Sequence, residues 1–458
     1  MFNKILVANR GAVAARVLRA CRKLGIPTAV VYSEADRDLP YLAAADERHE
    51  IGPAPAAESY LHQDRLLDVL RRSGADALHP GYGFLSENAA FAEKVEAAGA
   101  TFIGPSPKWL AAMGHKTRAR ELMASHGLPM GASSKLLGAD MAANLKEAER
   151  VGYPVLIKPA GGGGGIGMIA AHSPADLPKA LEGARSLSSR SFGSVDIYLE
   201  RLVQRPRHIE FQILADRYGH VRHLFERDCS VQRRHQKVVE EACAPNIPRA
   251  MLDAAAERIA AVLGSLRYDV IGTVETLYDT QTGEFNFLEV NTRLQVEHAV
   301  TEEVTGIDLV TSQIRLAAGE RLSEVLPDTV AIQGHAVQAR IYAEDPVRFY
   351  PSPGLLELLE FPSAEGVRLE TGYATGCRVT PHYDPMIAKI IARGRNRDEA
   401  IARLDTALEG SRIRGVKTNI PFIRQVLASE SFKSGAVHTD IAADVLREAA
   451  NRTAAVAS

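Results

Sequence analysis

From Phe285 to His298 the residues alternate with almost no slips: Phe285, Phe287, Glu289, Asn291, Arg293, Gln295 and Glu297 fall on one face, and Leu288, Val290, Thr292, Leu294 and Val296 on the other. A period of two predicts a strand with one apolar side. Its polar side carries carboxylates, an amide and a guanidinium in a row, a costly set to half-bury unless something binds there. Val270 to Tyr278 is apolar and β-branched, and Asp279 to Gly283 reads as the loop of a hairpin joining it to the first strand. Pairing about that loop brings Glu275 opposite Glu289. Two carboxylates roughly 5 Å apart repel by about 3 kcal/mol at an effective dielectric of about 20, so a purely structural sheet avoids the pair. A divalent cation removes the repulsion, and oxygen donors with Asn291 beside them suit Mg2+ or Mn2+. The bland alternative is the solvated face of an ordinary hairpin.

Composition narrows the class. The 458 residues, 46% hydrophobic, suffice for about two to four domains with sizeable cores. A formal net charge of -2 and a pI near 6.7, with neither a basic tail nor a basic run interleaved with aromatics, argue against a nucleic-acid footprint. Cys21, Cys229, Cys243 and Cys377 lack the spacing of a zinc site or a disulfide framework, which fits a reducing compartment. No uninterrupted apolar run is long enough to cross a bilayer, and the chain opens directly on a strand-like Lys4 to Ala8. A cytoplasmic protein without a membrane partner is expected.

The fold class reads as α/β and α+β. A strand from Ile5, then Gly11, a helix to Leu24 with Val13, Val17, Leu18 and Cys21 on one stripe, and a strand at Thr28 to Tyr32 predict a βαβ, doubly wound start. Helices near Gln63 to Ser73 and Ala89 to Ala98, with strands at Ala77 to His79 and Thr101 to Ile103, complete an N-terminal domain at 1–115. A central domain at 116–330 follows, with a small α/β unit at about 131–203 that could close as a lid. From 331 to 446 short strands such as His335 to Ile341 and Pro353 to Glu360 predict a C-terminal mixed domain, and 447–458 a frayed tail from Asn451 on.

Other constellations join the hairpin. Gly161 to Gly165 follow Lys158 at a strand end, and their N–H groups can wrap an anion as a nest, the alternative being a flexible hairpin tip. His208, Glu210 and Gln212 share one face of a strand that could equally be a surface strand. Arg227, Arg233, Arg234, His235 and Lys237 crowd into a short segment read as a loop, which is either solvated or an anion pocket. Lys116 and Arg340 are unremarkable alone. Taken together, a glycine nest, lysines, a carboxylate pair and the Arg293, Gln295, Glu297 row describe a nucleoside triphosphate with Mg2+ and a small anionic co-substrate, so the reaction class is phosphoryl transfer driving a ligation.

Ala8-Asn9-Arg10-Gly11, the segment His79 to Asn88, the glycine loop, Arg227 to Ser230 with Gln232 to Lys237, and Glu289 to His298 resemble the biotin carboxylases, an ATP-grasp family. The likeness runs from residue 1 to about 445. It implies the ATP-grasp architecture and MgATP-dependent carboxylation, with bicarbonate, of biotin borne on a carrier protein. It further implies ATP contacts from Lys116, Lys158, Gly162, Gly163, Gly164, Gly165, Glu200, Arg201, Val203, His208, Gln232, His235, Lys237, Glu275 and Glu289. Two Mg2+ or Mn2+ ions would be held by Glu275, Glu289 and Asn291. Bicarbonate would sit with Lys237, Arg293, Gln295, Val296 and Glu297, and biotin with Tyr82 and Arg340. Catalysis would fall to Glu297 as base, Arg293, Lys237, and Arg340 stabilising the biotin enolate.

The family usually has Glu where Ala12 stands, Arg or Lys where Ile166 stands, and Pro where Ala299 stands. Ala12 and Ile166 keep open the reading of a non-catalytic nucleotide-binding subunit, and another ATP-grasp carboxylate ligase is a further alternative. No Ala-Met-Lys-Met carrier motif occurs, so the biotin carrier protein and the carboxyltransferase are expected on separate chains. The resemblance also implies a homodimer, working within acetyl-CoA carboxylase or a related acyl-CoA carboxylase.

Overall fold

A computed structural model of the chain describes residues 1–160, 167–192 and 194–457. Its first strands are β1 (Ile5–Val7), β2 (Thr28–Tyr32), β3 (Glu47–Glu50), β4 (Ala77–His79) and β5 (Thr101–Phe102). They form one parallel sheet in the order β3-β2-β1-β4-β5, as the βαβ pattern predicts. Gly11, at φ 63°, lets the chain turn from the end of β1 straight into the helix Gly11–Leu24. The expected stripe Val13, Val17, Leu18, Cys21 is buried. The strand order reverses between β1 and β4, the place where doubly wound sheets open a crevice. Asn9 closes it by donating to the carbonyls of Pro80 at 2.6 Å and Tyr82 at 2.8 Å.

A small unit follows, made of β6 (Val155–Pro159), β7 (Ile169–Ala171) and β8 (Ile197–Arg201) in the antiparallel order β7-β6-β8. The helices Met141–Val151 and Leu177–Phe192 belong to the same unit, and Val155, Ile157, Ala171, Ile197 and Leu199 form its core. The nest expected at Gly161 to Gly165, and Ile166, lie outside the described residues.

The remaining strands are β9 (Arg207–Ala215), β10 (Val221–Arg233), β11 (Gln236–Ala242), β12 (Val270–Asp279), β13 (Glu284–Asn291), β14 (His335–Tyr342), β15 (Gly354–Leu355), β16 (Leu358–Glu360), β17 (Val367–Thr371), β18 (Arg378–Val379), β19 (Met386–Gly394) and β20 (Arg412–Arg414). Among the described residues, eight of them make one antiparallel sheet, β13-β12-β9-β10-β11-β14-β19-β17. Strands from both sides of residue 330 therefore share a sheet. Alternation along β9 decides its two faces. Ile209, Phe211 and Ile213 pack into a core with Leu252, Ala256, Ile259 and Leu263 of the helix Arg249–Leu266, while on the other face His208 lines the polar cleft, Glu210 meets Lys237 and Arg227, and Gln212 accepts from Arg227.

Four expectations are corrected. The basic run is not a loop: Arg227 to Arg233 lies in β10, and Arg234 and His235, at φ 50° and 66°, make the tight turn into β11. Segment 353–360 is two short strands rather than one, because β15 pairs with β18 and β16 with Arg412–Arg414. The last residues are not a frayed tail but continue the helix Ile441–Ala457. The strand expected to reach His298 stops at Asn291, with consequences described below. No helix among the described residues is long and apolar enough to cross a membrane.

Candidate active site

The hairpin places Glu275 directly opposite Glu289, the register that its loop predicts. Toward the loop the register slips: Thr276 faces Phe287, which leaves Leu288 as an extra residue. Such a bulge reverses the alternation. Phe285 and Phe287 therefore pack into the core beneath together with Val290, held by ring contacts of Phe285 with Phe211 and Tyr278, while Leu288, Glu289 and Asn291 line the cleft. Beyond Asn291 the chain leaves the sheet and turns into the helix His298–Thr305, with Glu297 at its N-cap. Arg293, Gln295 and Glu297 still reach the same cleft, now from a turn instead of a strand.

The cleft has a volume of about 690 Å³. At its inner end Lys237 bridges three carboxylates, at 2.6 Å to Glu210, 2.7 Å to Glu275 and 2.8 Å to Glu297. Glu297 is fully buried. Its second oxygen meets Arg340 at 3.0 Å, and Arg340 is fixed in turn by Glu240 at 2.5 Å. Burial alone would raise the Glu297 carboxyl, but Lys237, Arg340 and Arg227 hold it well below the usual carboxylate range. The same contest keeps Glu275 low through Lys237 and His208. Burial opposes the charge on Lys237, yet Glu210, Glu275 and Glu297 push its ammonium well above the ordinary value. A carboxylate, an ammonium and a guanidinium thus favour one another's charged forms.

Arg293 lies beside this group and donates to Asn291 Oδ1 at 2.9 Å, Gln295 Oε1 at 2.9 Å and Glu87 Oε2 at 3.0 Å. The outer part of the cleft is lined by Lys116, Lys158, Arg201, Leu202, Val203 and Leu277. His208, Gln232 and His235 join them from the large sheet. Lys158 pairs with Glu200 at 2.5 Å and Lys116 with Glu289 at 3.0 Å. Burial would lift the Glu200 carboxyl, but Lys158 and Arg120 keep it below its ordinary value.

Of the basic run only His235 and Lys237 enter the cleft. Arg227 is buried against Glu210 at 2.5 Å and Arg233 pairs with Glu344 at 2.8 Å. Tyr82 does not line the cleft. Its hydroxyl is buried without a hydrogen-bond partner among the described residues, and burial raises its pKa, with Glu370 adding and Arg340 opposing. Sequence reasoning missed Glu87, Arg120 and Glu240 as supports of the site. Glu87 lay inside the His79 to Asn88 motif, whereas Glu240 gave no local signal.

A divalent ion has a plausible donor set. Glu275 and Glu289 are cross-strand partners with hard oxygen donors, each facing a lysine, and the Lys116 side chain is 39% exposed and free to swing away. Asn291 is buried, with its Nδ2 unpartnered among the described residues. Oxygen donors in this arrangement fit Mg2+ or Mn2+.

Three family models match the chain. Residues 1–110 match the biotin carboxylase N-terminal domain, 115–325 the carbamoyl-phosphate synthase L chain ATP-binding domain, and 338–444 the biotin carboxylase C-terminal domain. Biotin carboxylase 2 of Bacillus subtilis is 48% identical over 96% of this chain and 99% of its own length. A Campylobacter jejuni biotin carboxylase, solved as a β,γ-ATP complex, superposes with a TM-score of 0.92 at 38% identity over 97% of this chain and 99% of its own. The biotin carboxylase domain dimer of Hydrogenobacter thermophilus 2-oxoglutarate carboxylase, solved with MgADP, ADP and bicarbonate, gives 0.91 at 40% identity with the same coverage. Fold and site define an ATP-dependent ligase of the ATP-grasp class. Within that class the chain belongs to the biotin carboxylase family.

Proposed function

We propose that this chain carboxylates biotin at the expense of ATP and bicarbonate, with Glu297 as the base. The observation that carries the reading is the Glu297 carboxylate, buried between Lys237 at 2.8 Å and Arg340 at 3.0 Å. Bicarbonate seated by Arg293, Gln295, the Val296 backbone and Lys237 gives its proton to Glu297, and the freed oxygen attacks the γ-phosphorus. The bond to ADP breaks, leaving carboxyphosphate. This intermediate splits into CO2 and phosphate, phosphate takes the N1 proton of biotin, and N1 attacks CO2 while Arg340 neutralises the ureido enolate.

Lys116, Lys158 and the segment Gly162, Gly163, Gly164, Gly165 contact the ATP phosphates in this reading, and Glu200, Arg201, Val203, His208, Gln232 and His235 hold the rest of the nucleotide. Glu275, Glu289 and Asn291 would hold two Mg2+ or Mn2+ ions, which supply positive charge to the phosphates. Tyr82 and Arg340 receive biotin.

The full-length match to a stand-alone biotin carboxylase supports a carrier protein and a carboxyltransferase on separate chains, and the dimeric relative supports a homodimer. A cytoplasmic location follows the cysteine pattern. Acetyl-CoA carboxylase is the favoured setting, and co-purification with identification of the partner chains would name the acyl acceptor. The direct test is ATP hydrolysis that depends on both free biotin and bicarbonate. Absence of that dependence at every Mg2+ concentration would defeat the reading.

A further inference from the structure

Two cations stand side by side beneath the turn that carries Glu297. Arg340 on β14 and Lys389 on β19 are direct cross-strand partners, a like-charge pairing that sheets normally avoid. Arg340 Nη2 lies 3.0 Å from Glu297 Oε2, and Lys389 Nζ donates to the carbonyl oxygen of Val296 at 2.7 Å. One row of the sheet therefore grips the base twice, by its side chain and by the peptide that precedes it.

Lys389 is a costly residue to bury. It is 1% exposed, and Glu370, its partner on β17 at 2.8 Å, is 0% exposed. Burial pulls its ammonium below the ordinary lysine value; Glu370 opposes the shift, while Arg368 and Arg340 add to it. Lys389 also sits at the N-terminal end of the helix His298–Thr305, where the backbone dipole favours negative charge. A buried ion pair is often replaced by apolar side chains without loss of stability. His298, Glu302 and Glu370 approach within metal-ligand range, but Arg16, Arg368 and Lys389 already set three cations against these two carboxylates. A divalent ion there would only add to the positive charge.

We propose that Lys389, held by Glu370, is a positioning residue for bicarbonate activation. By fixing the Val296–Glu297 peptide plane it sets the direction in which the Glu297 carboxylate leaves the backbone. The inference rests on the carboxylase reading above, and it adds a residue outside the cleft to the machinery that aims the base.

Lys389→Met keeps the length of the side chain and removes the donor, while Glu370 retains Arg16 and Arg368. The folded variant is expected to keep KM for ATP within about twofold and to lose about a hundredfold in kcat/KM for bicarbonate, the scale of a base displaced by roughly 1 Å. Should it fail to fold, Lys389→Met/Glu370→Gln removes both charges and decides the matter by the same ratio. Unchanged bicarbonate kinetics, an equal loss for ATP and bicarbonate, or unfolding of both variants would overturn the positioning role. If the wild type shows no biotin-dependent turnover, the carboxylase reading fails separately. Line broadening of 13C-bicarbonate then decides: broadening by wild type that weakens in Lys389→Met supports the proposal, and equal or absent broadening in both overturns it.

Discussion

Lys237 lies 2.8 Å from Glu297 and touches Glu275 and Glu210 with the same ammonium. The base is thereby kept ionised in a site where burial alone would protonate it. Glu297→Gln preserves the shape and removes the proton acceptor. Biotin-dependent ATP hydrolysis should fall by about 10² to 10⁴-fold, the scale of general-base catalysis, with MgATP affinity by calorimetry changing less than about threefold. A rate near that of the wild type would remove Glu297 from its role.

Glu87 anchors the turn from outside, accepting from the Thr292 backbone at 3.2 Å and from Arg293 Nε at 3.0 Å. Its side chain is 41% exposed, so its loss should leave the fold standing. A hydrogen bond to a charged partner contributes about 1.5 kcal/mol or more, so Glu87→Ala should raise KM for bicarbonate about tenfold. KM for ATP should stay put. Steady-state kinetics with each substrate varied in turn would separate the two, and parallel changes in both would show Glu87 to be a general support.

Acid stability should carry the mark of a buried histidine. His79 is fully buried, and burial, with Arg16 adding, lowers its pKa to about 3. The unfolded chain takes up that proton below pH of about 6.5, so the folded state loses about 1.4 kcal/mol per pH unit from this group as pH falls toward the folded value. Glu275 and Glu297, held low, contribute loss only below pH of about 4.3. Glu344, lifted to about 7 by burial, acts with the opposite sign. A difference therefore isolates the histidine: urea unfolding of His79→Gln between pH 6 and 5 should fall by about 1.4 kcal/mol less than that of the wild type. Identical slopes would refute the assignment.

Local pattern carried much of this architecture and failed at definable places. The Asp279 to Gly283 loop fixed the hairpin register, and with it Glu275 opposite Glu289. The bulge at Leu288 was not legible, because the demand that places Phe285 and Phe287 in the core comes from Phe211 and Tyr278 on other strands. The end of the strand at Asn291 was hidden for a related reason: polar residues at every second position describe the turn 292–297 as well as they describe a strand. Supports such as Glu87, 206 residues from Arg293, and Glu240, 100 residues from Arg340, are set by tertiary pairing alone. Residue chemistry pointed to the candidates for reaction, while the groups that hold them became visible only in the fold.

The cluster around Lys237 makes a last prediction about metal. Replacing Lys237 by Met leaves Glu210, Glu275 and Glu297 buried around one missing cation; Arg227 still serves Glu210, Arg340 still serves Glu297, and Glu275 keeps only His208. Stripping one partner from buried charges costs about 3 to 5 kcal/mol, and urea unfolding in EDTA should reveal a loss of that order in Lys237→Met. If Glu275 and Glu289 are metal ligands, Mg2+ or Mn2+ replaces part of the missing charge next to Glu275. Millimolar Mn2+ should then stabilise Lys237→Met more than it stabilises the wild type, and the extra gain should vanish in Lys237→Met/Glu289→Gln. An equal Mn2+ response in all three proteins would place the ion away from Glu275 and Glu289.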